Sequence, residues 1–254
     1  MARRIAELTT DSLKALLESR PVVALVPVGS VEPHGPHLPL GTDTIISEAA
    51  ILRAAIVLEN EAARPLFALL APAIPYGVTC FAEGFAGAVS VPADALTAFA
   101  RAVVAGYLAT GFSHVCLVNN HLEPAHDTAV RAAVTGFPAG RASVACPLSR
   151  RWGRTLSPEF KSGACHAGRY ETSLLLSAAE ATVDTAAARL LPDLDVSLSD
   201  GIKAGKHSFR AMGLDHAYTG APARATAAEG DELLDLLATM IATEVREALA
   251  ITIT

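Results

Sequence analysis

The sequence contains no G-x-S-x-G elbow, no G-x-x-x-x-G-K-[ST] loop and no G-x-G-x-x-G following an apolar run. It therefore lacks the mechanical parts of serine-hydrolase, P-loop and dinucleotide-binding chemistry. Lysine and arginine never form a block, and the 20 basic residues are outnumbered by 26 acidic ones for a formal charge of -6. No footprint for nucleic acid or for an acidic membrane surface is visible, and a small-molecule substrate is the expected partner. No stretch reaches the roughly 18 apolar residues that a membrane span needs, and no apolar leader follows Met1-Ala2-Arg3-Arg4, so a cytoplasmic protein is expected. Cysteine is scarce: Cys80, Cys116, Cys146 and Cys165 are widely spaced without a C-x-x-C pair, which reads as reduced thiols rather than a disulfide frame or zinc knuckle. Aromatic residues make up only 5%, with Trp152 the single tryptophan.

What the chain has in quantity is aliphatic surface, with 51% hydrophobic residues in 254. That length suits one domain, taken as residues 1–254. Apolar runs of strand length at 22–28, 66–71, 114–118 and 141–146 alternate with helical spacing over 11–19, 44–58, 93–110 and 125–135. Fully apolar strands alternating with helices predict an α/β protein, a three-layer α/β/α sandwich around a mainly parallel sheet. A shorter apolar helix over 174–179 and an amphipathic one over 229–249 follow, separated by the loop-rich stretch 190–222. Residues 149–164 break the pattern, being polar and aperiodic, and read as a lid or substrate loop.

The polar residues that matter cluster at strand ends. The first strand runs into Gly29-Ser30-Val31-Glu32-Pro33-His34-Gly35-Pro36-His37-Leu38-Pro39, and Asp43 follows at or near the N-cap of the next helix. In extended chain, residues two apart share a face, so Glu32 and His34 can point at one centre that Asp43 also reaches. His121 and Glu123 repeat the spacing after another strand. Taken singly, each histidine fits a turn or a strand end. Together these residues make about five ligands, enough for two divalent metals sharing Asp43, and imidazole with carboxylate suits zinc or manganese. His37 suits support of the ligands, and His126 and Asp127 fall on the next helix. A Cys165–His166 thiolate pair is disfavoured, because adjacent side chains seldom meet productively.

The run from Gly29 to Asp43 resembles the first signature of the creatininase (creatinine amidohydrolase) family. Gly84-Phe85-Ala86-Gly87, the 119–123 segment, and His166-Ala167-Gly168 with Glu171-Thr172-Ser173 are similar to its other blocks, in the same order. The resemblance covers roughly residues 20 to 180 and implies a creatininase-like fold in which Glu32, His34, Asp43, His121 and Glu123 hold two metals, with Asp43 bridging. It implies His166 as the proton-transferring residue, with Glu123 beside it in the catalytic centre. Many relatives carry glycine at the position of Glu123 and use the glutamate matching Glu171, so both remain candidates. Creatininase lines its lid with two tryptophans; here Trp152 matches one, while Ser162 stands at the other. Gly163 and Cys165 replace acidic residues. Trp152, Ser162 and Tyr170 are the candidate substrate contacts.

The resemblance implies a metal-bridging hydroxide attacking an amide carbonyl, with His166 protonating the leaving nitrogen. A non-peptide C–N bond of a small cyclic amide or formamide is the favoured substrate over creatinine. Peptide trimming, cyclic-ketone hydrolysis, or a metal-stapled binder without catalysis are the alternatives. Family likeness further implies a homo-oligomer, often a hexamer.

Overall fold

The computed structural model describes residues 3–61 and 65–251; Met1 and Ala2, where the absence of an apolar leader is read, lie outside them. Its strands are β1 (Arg3–Arg4), β2 (Val22–Val28), β3 (Phe67–Leu70), β4 (His114–Asn119) and β5 (Ala142–Ala145). They form one sheet in the order β1-β3-β2-β4-β5, and every pairing is parallel. The helices are α1 (Thr10–Ser19), α2 (Thr42–Glu59), α3 (Ala93–Ala109), α4 (Pro124–Val134), α5 (Arg150–Gly153), α6 (Pro158–Ser162), α7 (Arg169–Ala178), α8 (Thr185–Leu190), α9 (Leu198–Lys203) and α10 (Ala227–Ile251).

Period-two alternation of the strands divides the core between the two faces of the sheet. Val23, Leu25, Cys116 and Val118 pack with α2, α7 and α10, including Ile51, Leu174 and Ile241. Val22, Ala24, Val26, Val115 and Leu117 pack on the other face with Leu96, Val104 and Val130 of α3 and α4. Both faces being covered explains why the strands read as unbroken apolar runs.

The strand order places the functional loops. From β2 the chain passes through α2 to β3 on one side, and from β4 it passes through α4 to β5 on the other. The loops leaving β2 and β4 therefore part company above adjacent strand ends, where Val28 pairs with Asn119. Such a switch point opens a crevice at the carboxyl ends of the strands. Among the described residues, no helix is long and apolar enough to cross a membrane.

Local detail refines the expectations. Asp43 lies near the N-cap of α2, two residues after Gly41, which holds the cap position, and its carboxylate accepts the backbone N–H of Ser30 at 3.2 Å. Thr9 caps α1, its hydroxyl oxygen accepting the Ser12 N–H. The 149–164 segment contains α5 and α6, and the loop-rich stretch 190–222 follows directly on α8 and contains α9.

Candidate metal centre

The loop after β2 passes tightly over the start of α2. A Cβ on Gly29 would meet the Thr44 nitrogen at 2.7 Å and the Asp43 Cβ at 2.8 Å, so only glycine lets Ser30 reach the Asp43 carboxylate. Gly35, at φ 65°, turns the chain back, and its N–H donates to the Ala217 carbonyl at 2.9 Å. Glu32, His34 and Asp43 are all buried by this arrangement.

The orientation of two imidazoles decides what the cluster can hold. His34 Nδ1 lies 3.1 Å from the Glu32 carbonyl and His121 Nε2 lies 2.8 Å from the Val78 carbonyl. A carbonyl only accepts, so each of these nitrogens carries a hydrogen, and in neutral imidazole the opposite nitrogen is a bare lone pair. Those lone pairs face carboxylate oxygens. His121 Nδ1 is 3.0 Å from both Glu32 Oε1 and Asp43 Oδ2; His34 Nε2 is 3.1 Å from Asp43 Oδ1 and 3.6 Å from Glu171 Oε2. Lone pair against lone pair is repulsive unless a cation or a proton lies between them. Glu32 Oε2 and His121 Nδ1 are also buried without a hydrogen-bond partner. Donor atoms lie within 4.8 Å of one another in three groups, Glu32 with Asp43 and His121, His34 with Asp43 and Glu171, and Glu32 with His34 and His166; the first two share Asp43. The set fits divalent cations.

With protons as the only cations, the cluster titrates accordingly. Burial depresses His34, but Asp43, Glu171 and Glu32 more than offset it and push it up to about 10. His121 is raised in the same way, against burial, by Glu32 and Asp43. Burial lifts Glu171 to about 8 despite the opposing pull of His34. Burial also pushes His166 down to about 4, with His34 adding to the effect.

The structure parts the two glutamates that the sequence left open. Glu171, two positions into α7, joins the cluster, and its Oε2 accepts the Ala167 N–H at 2.7 Å. Glu123 is the N-cap residue of α4, and its two oxygens accept the N–H groups of Cys80 at 3.1 Å and Phe81 at 3.2 Å. It lines the cavity but lies outside the groups of atoms that could hold a metal among the described residues. His166 stacks on Phe209 at 4.4 Å, places Nε2 3.0 Å from the Pro33 carbonyl, and brings Nδ1 to 3.9 Å from Glu32 Oε1. His126 supports His121: the rings meet edge to face at 4.6 Å, and the Val78 N–H donates to His126 Nδ1 at 3.2 Å. His37 pairs with the Thr172 hydroxyl of α7 at 2.8 Å, whereas Asp127 pairs with Arg131.

A cavity of about 500 Å³ opens onto the cluster, walled by apolar residues such as Leu122, Leu148, Phe160 and Ile202. The three residues expected to contact substrate do not line it. Trp152 is buried and donates its indole N–H to Glu244 of α10 at 2.5 Å. Ser162 bonds the Glu159 carbonyl at the surface, and Tyr170 is buried edge-on against Phe160 at 4.9 Å. Phe209, Arg150, Arg154 and Lys161, which sequence reading passed over, do line it. Only the four-residue spacing of the two arginines could have flagged them.

Residues 6–245 match the sequence profile of the family Creatininase, described as creatinine amidohydrolase. The mycofactocin precursor peptide peptidase of Mycolicibacterium smegmatis is 33% identical over 227 residues, covering 89% of this chain and 85% of that protein. The 3-dehydro-scyllo-inosose hydrolase of Thermotoga maritima is 27% identical over 152 residues, covering 59% of this chain and 45% of that protein. A solved structure of "Creatininase Mn" shares the fold with a TM-score of 0.72 at 20% identity, over 97% of this chain and 98% of that one.

Proposed function

The chain belongs to the creatininase family of hydrolases, and on that footing we propose that it is a metal-dependent amidohydrolase. Glu32, Asp43 and His121 would hold one divalent cation and His34, Asp43 and Glu171 a second, with Asp43 common to both. The observation that carries this reading is the pair of imidazole lone pairs aimed at carboxylate oxygens in a buried cluster. With only oxygen and imidazole donors, zinc or manganese is the fitting metal. Bound there, such cations supply Lewis acidity that activates water and polarises an amide carbonyl.

The protein's own groups handle the proton. His166 donates from Nε2 to the Pro33 carbonyl, which leaves Nδ1 as the basic atom facing the cavity side of Glu32. Its depressed pKa, about 4, keeps it neutral at pH 7, so Nδ1 can take a proton from attacking water and deliver it to the departing nitrogen. Stacking on Phe209 and the Pro33 bond fix the ring for both steps. Glu123 acts at one remove, holding the chain at residues 80 and 81 where Phe81 lines the cavity.

A bare cyclic amide or formamide would leave most of a 500 Å³ cavity unfilled, because pockets of that size suit molecules well above a single small ring. The volume, the apolar walls and the 33% identity to a peptide peptidase favour an amide carried on a larger, peptide-like molecule. The test is a turnover screen of the zinc- or manganese-loaded protein against N-acyl amino acids, short peptides, lactams, formamides and cyclic ketones. Metal-dependent cleavage of the peptide-like amides, lost in Asp43→Ala and His121→Ala, is expected. Full activity of a metal-stripped sample, turnover of ketones alone, or no turnover of any class would overturn the reading.

A further inference from the structure

Most arginines whose side chains cross between elements are neutralised. Arg53 pairs with Asp231 and Asp235, Arg151 with Glu247, Arg169 with Glu229 and Arg224 with Asp193. The cavity breaks that rule. Arg150, Arg154 and Lys161 all line it, all are exposed, and none has an ion-pair or hydrogen-bonding side chain among the described residues. Lys203 lines it too but is held by Asp200 at 2.9 Å.

The placement follows from how α5 is anchored. Arg151 forms a two-pronged pair with Glu247 at 2.7 Å and lies over the Trp152 ring, whose N–H reaches Glu244. Both acids belong to α10, so the 151–152 side of α5 is pinned to that helix. Arg150 and Arg154, four residues apart, share another side, and that side borders the cavity. Lys161 comes from α6, whose Phe160 forms part of the apolar wall. Unpaired cations beside apolar surface in a concave site concentrate the field on whatever enters.

Resting on the amidohydrolase reading, the geometry points to an anion subsite: Arg150, Arg154 and Lys161 select substrates that carry a carboxylate on an apolar body, held away from the amide being cleaved. Arginine suits the planar two-oxygen acceptor of a carboxylate, and lysine adds a movable charge. The acids that line the cavity, Glu32, Asp43, Glu123 and Glu171, lie towards the candidate metal cluster, so the unpaired positive charge belongs to the α5–α6 side of the cavity, in a chain whose net charge is -6.

Calorimetric binding to the metal-loaded protein tests this without requiring turnover, using phenylbutyrate and its neutral counterpart phenylbutanol. The carboxylate is expected to bind at least about tenfold more tightly, and Arg150→Ala/Arg154→Ala to remove about tenfold of that preference while leaving the alcohol unchanged. Lys206→Ala, an exposed cation outside the cavity lining, should change neither. If the double variant does not fold, Arg154→Gln carries the same comparison. Equal binding of the two probes, absence of carboxylate binding, or a preference that survives the arginine variants would overturn the subsite. A protein that shows the preference but hydrolyses no amide would sink the hydrolase reading alone. One that cleaves neutral amides but shows no preference would sink only the subsite.

Discussion

Replacing Gly230 by alanine sets two effects of opposite sign against each other. Gly230 lies in the first turns of α10, buried against α7, and a Cβ there would sit 1.9 Å from the Ser173 carbonyl oxygen and 2.6 Å from its carbon. Side-chain rotation cannot relieve contact with backbone, so the two helices must separate by roughly 1.5 Å to reach normal contact. Helix propensity alone favours alanine by about 1 kcal/mol, whereas overpacking a close crossing costs about 1–3 kcal/mol, here at the upper end. The net expectation is a loss of about 2 kcal/mol, which in a chain of this length lowers Tm by about 4–8 °C. Gly106 in α3 is the control, because a Cβ added there would meet nothing within 4 Å. Gly106→Ala should raise Tm by about 2–4 °C through propensity alone. Differential scanning calorimetry at one scan rate reads both. The opening also moves α7, so Glu171, two residues before Ser173, should hold its metal less tightly in Gly230→Ala. A Gly230→Ala protein that melts at or above wild type would refute the close packing of α7 on α10.

His37 provides an acid-limb prediction. Burial, aided by His34, pushes its pKa down to about 4, below the ordinary value of 6.5. The unfolded chain then binds more protons below pH 6.5, so this contribution is complete above that pH and is lost as pH falls towards 4. Urea titrations at pH 7 and pH 5 should differ by about 1 kcal/mol from this residue after allowance for solvent screening, and His37→Gln should lose that difference. Trp152→Phe removes the indole N–H from Glu244 and should cost about 1–3 kcal/mol of stability, read as a lower Tm. Because Trp152 does not line the cavity, kcat/KM for any substrate found should change by less than about threefold.

The parts of the molecule that sequence makes legible are those governed by local rules. The expected bounds of β2 coincide with the observed ones, and those of β4 and α2 fall within two residues, because unbroken apolar runs and helical spacing are short-range signals. Glu32, His34, Asp43 and His121 come together because strand ends, parallel pairing and the switch point bring the loops after β2 and β4 to one place. The two-apart rule fails at Glu123. It assumes that the strand continues, but the chain leaves β4 at Asn119 and Glu123 already caps α4, with its carboxylate turned to the amides of residues 80 and 81. Glu171 enters from a helix more than a hundred residues beyond Asp43, a contact no local spacing encodes. Trp152 misleads in a different way. A lone tryptophan in a polar loop suggests a binding surface, yet its partner Glu244 lies 92 residues away on α10. Anchoring by α10 instead leaves Arg150 and Arg154 at the cavity.

In the proposed centre Asp43 is shared by two cation sites completed by Glu171 and not by Glu123. Metal content by mass spectrometry, after reconstitution with manganese or zinc and gel filtration, tests it most directly on wild type, Glu171→Gln and Glu123→Gln. Two divalent ions per chain are expected in wild type, with loss of one in Glu171→Gln and retention of both in Glu123→Gln. A wild type that retains no metal, or loss from Glu123→Gln with full retention by Glu171→Gln, would contradict it.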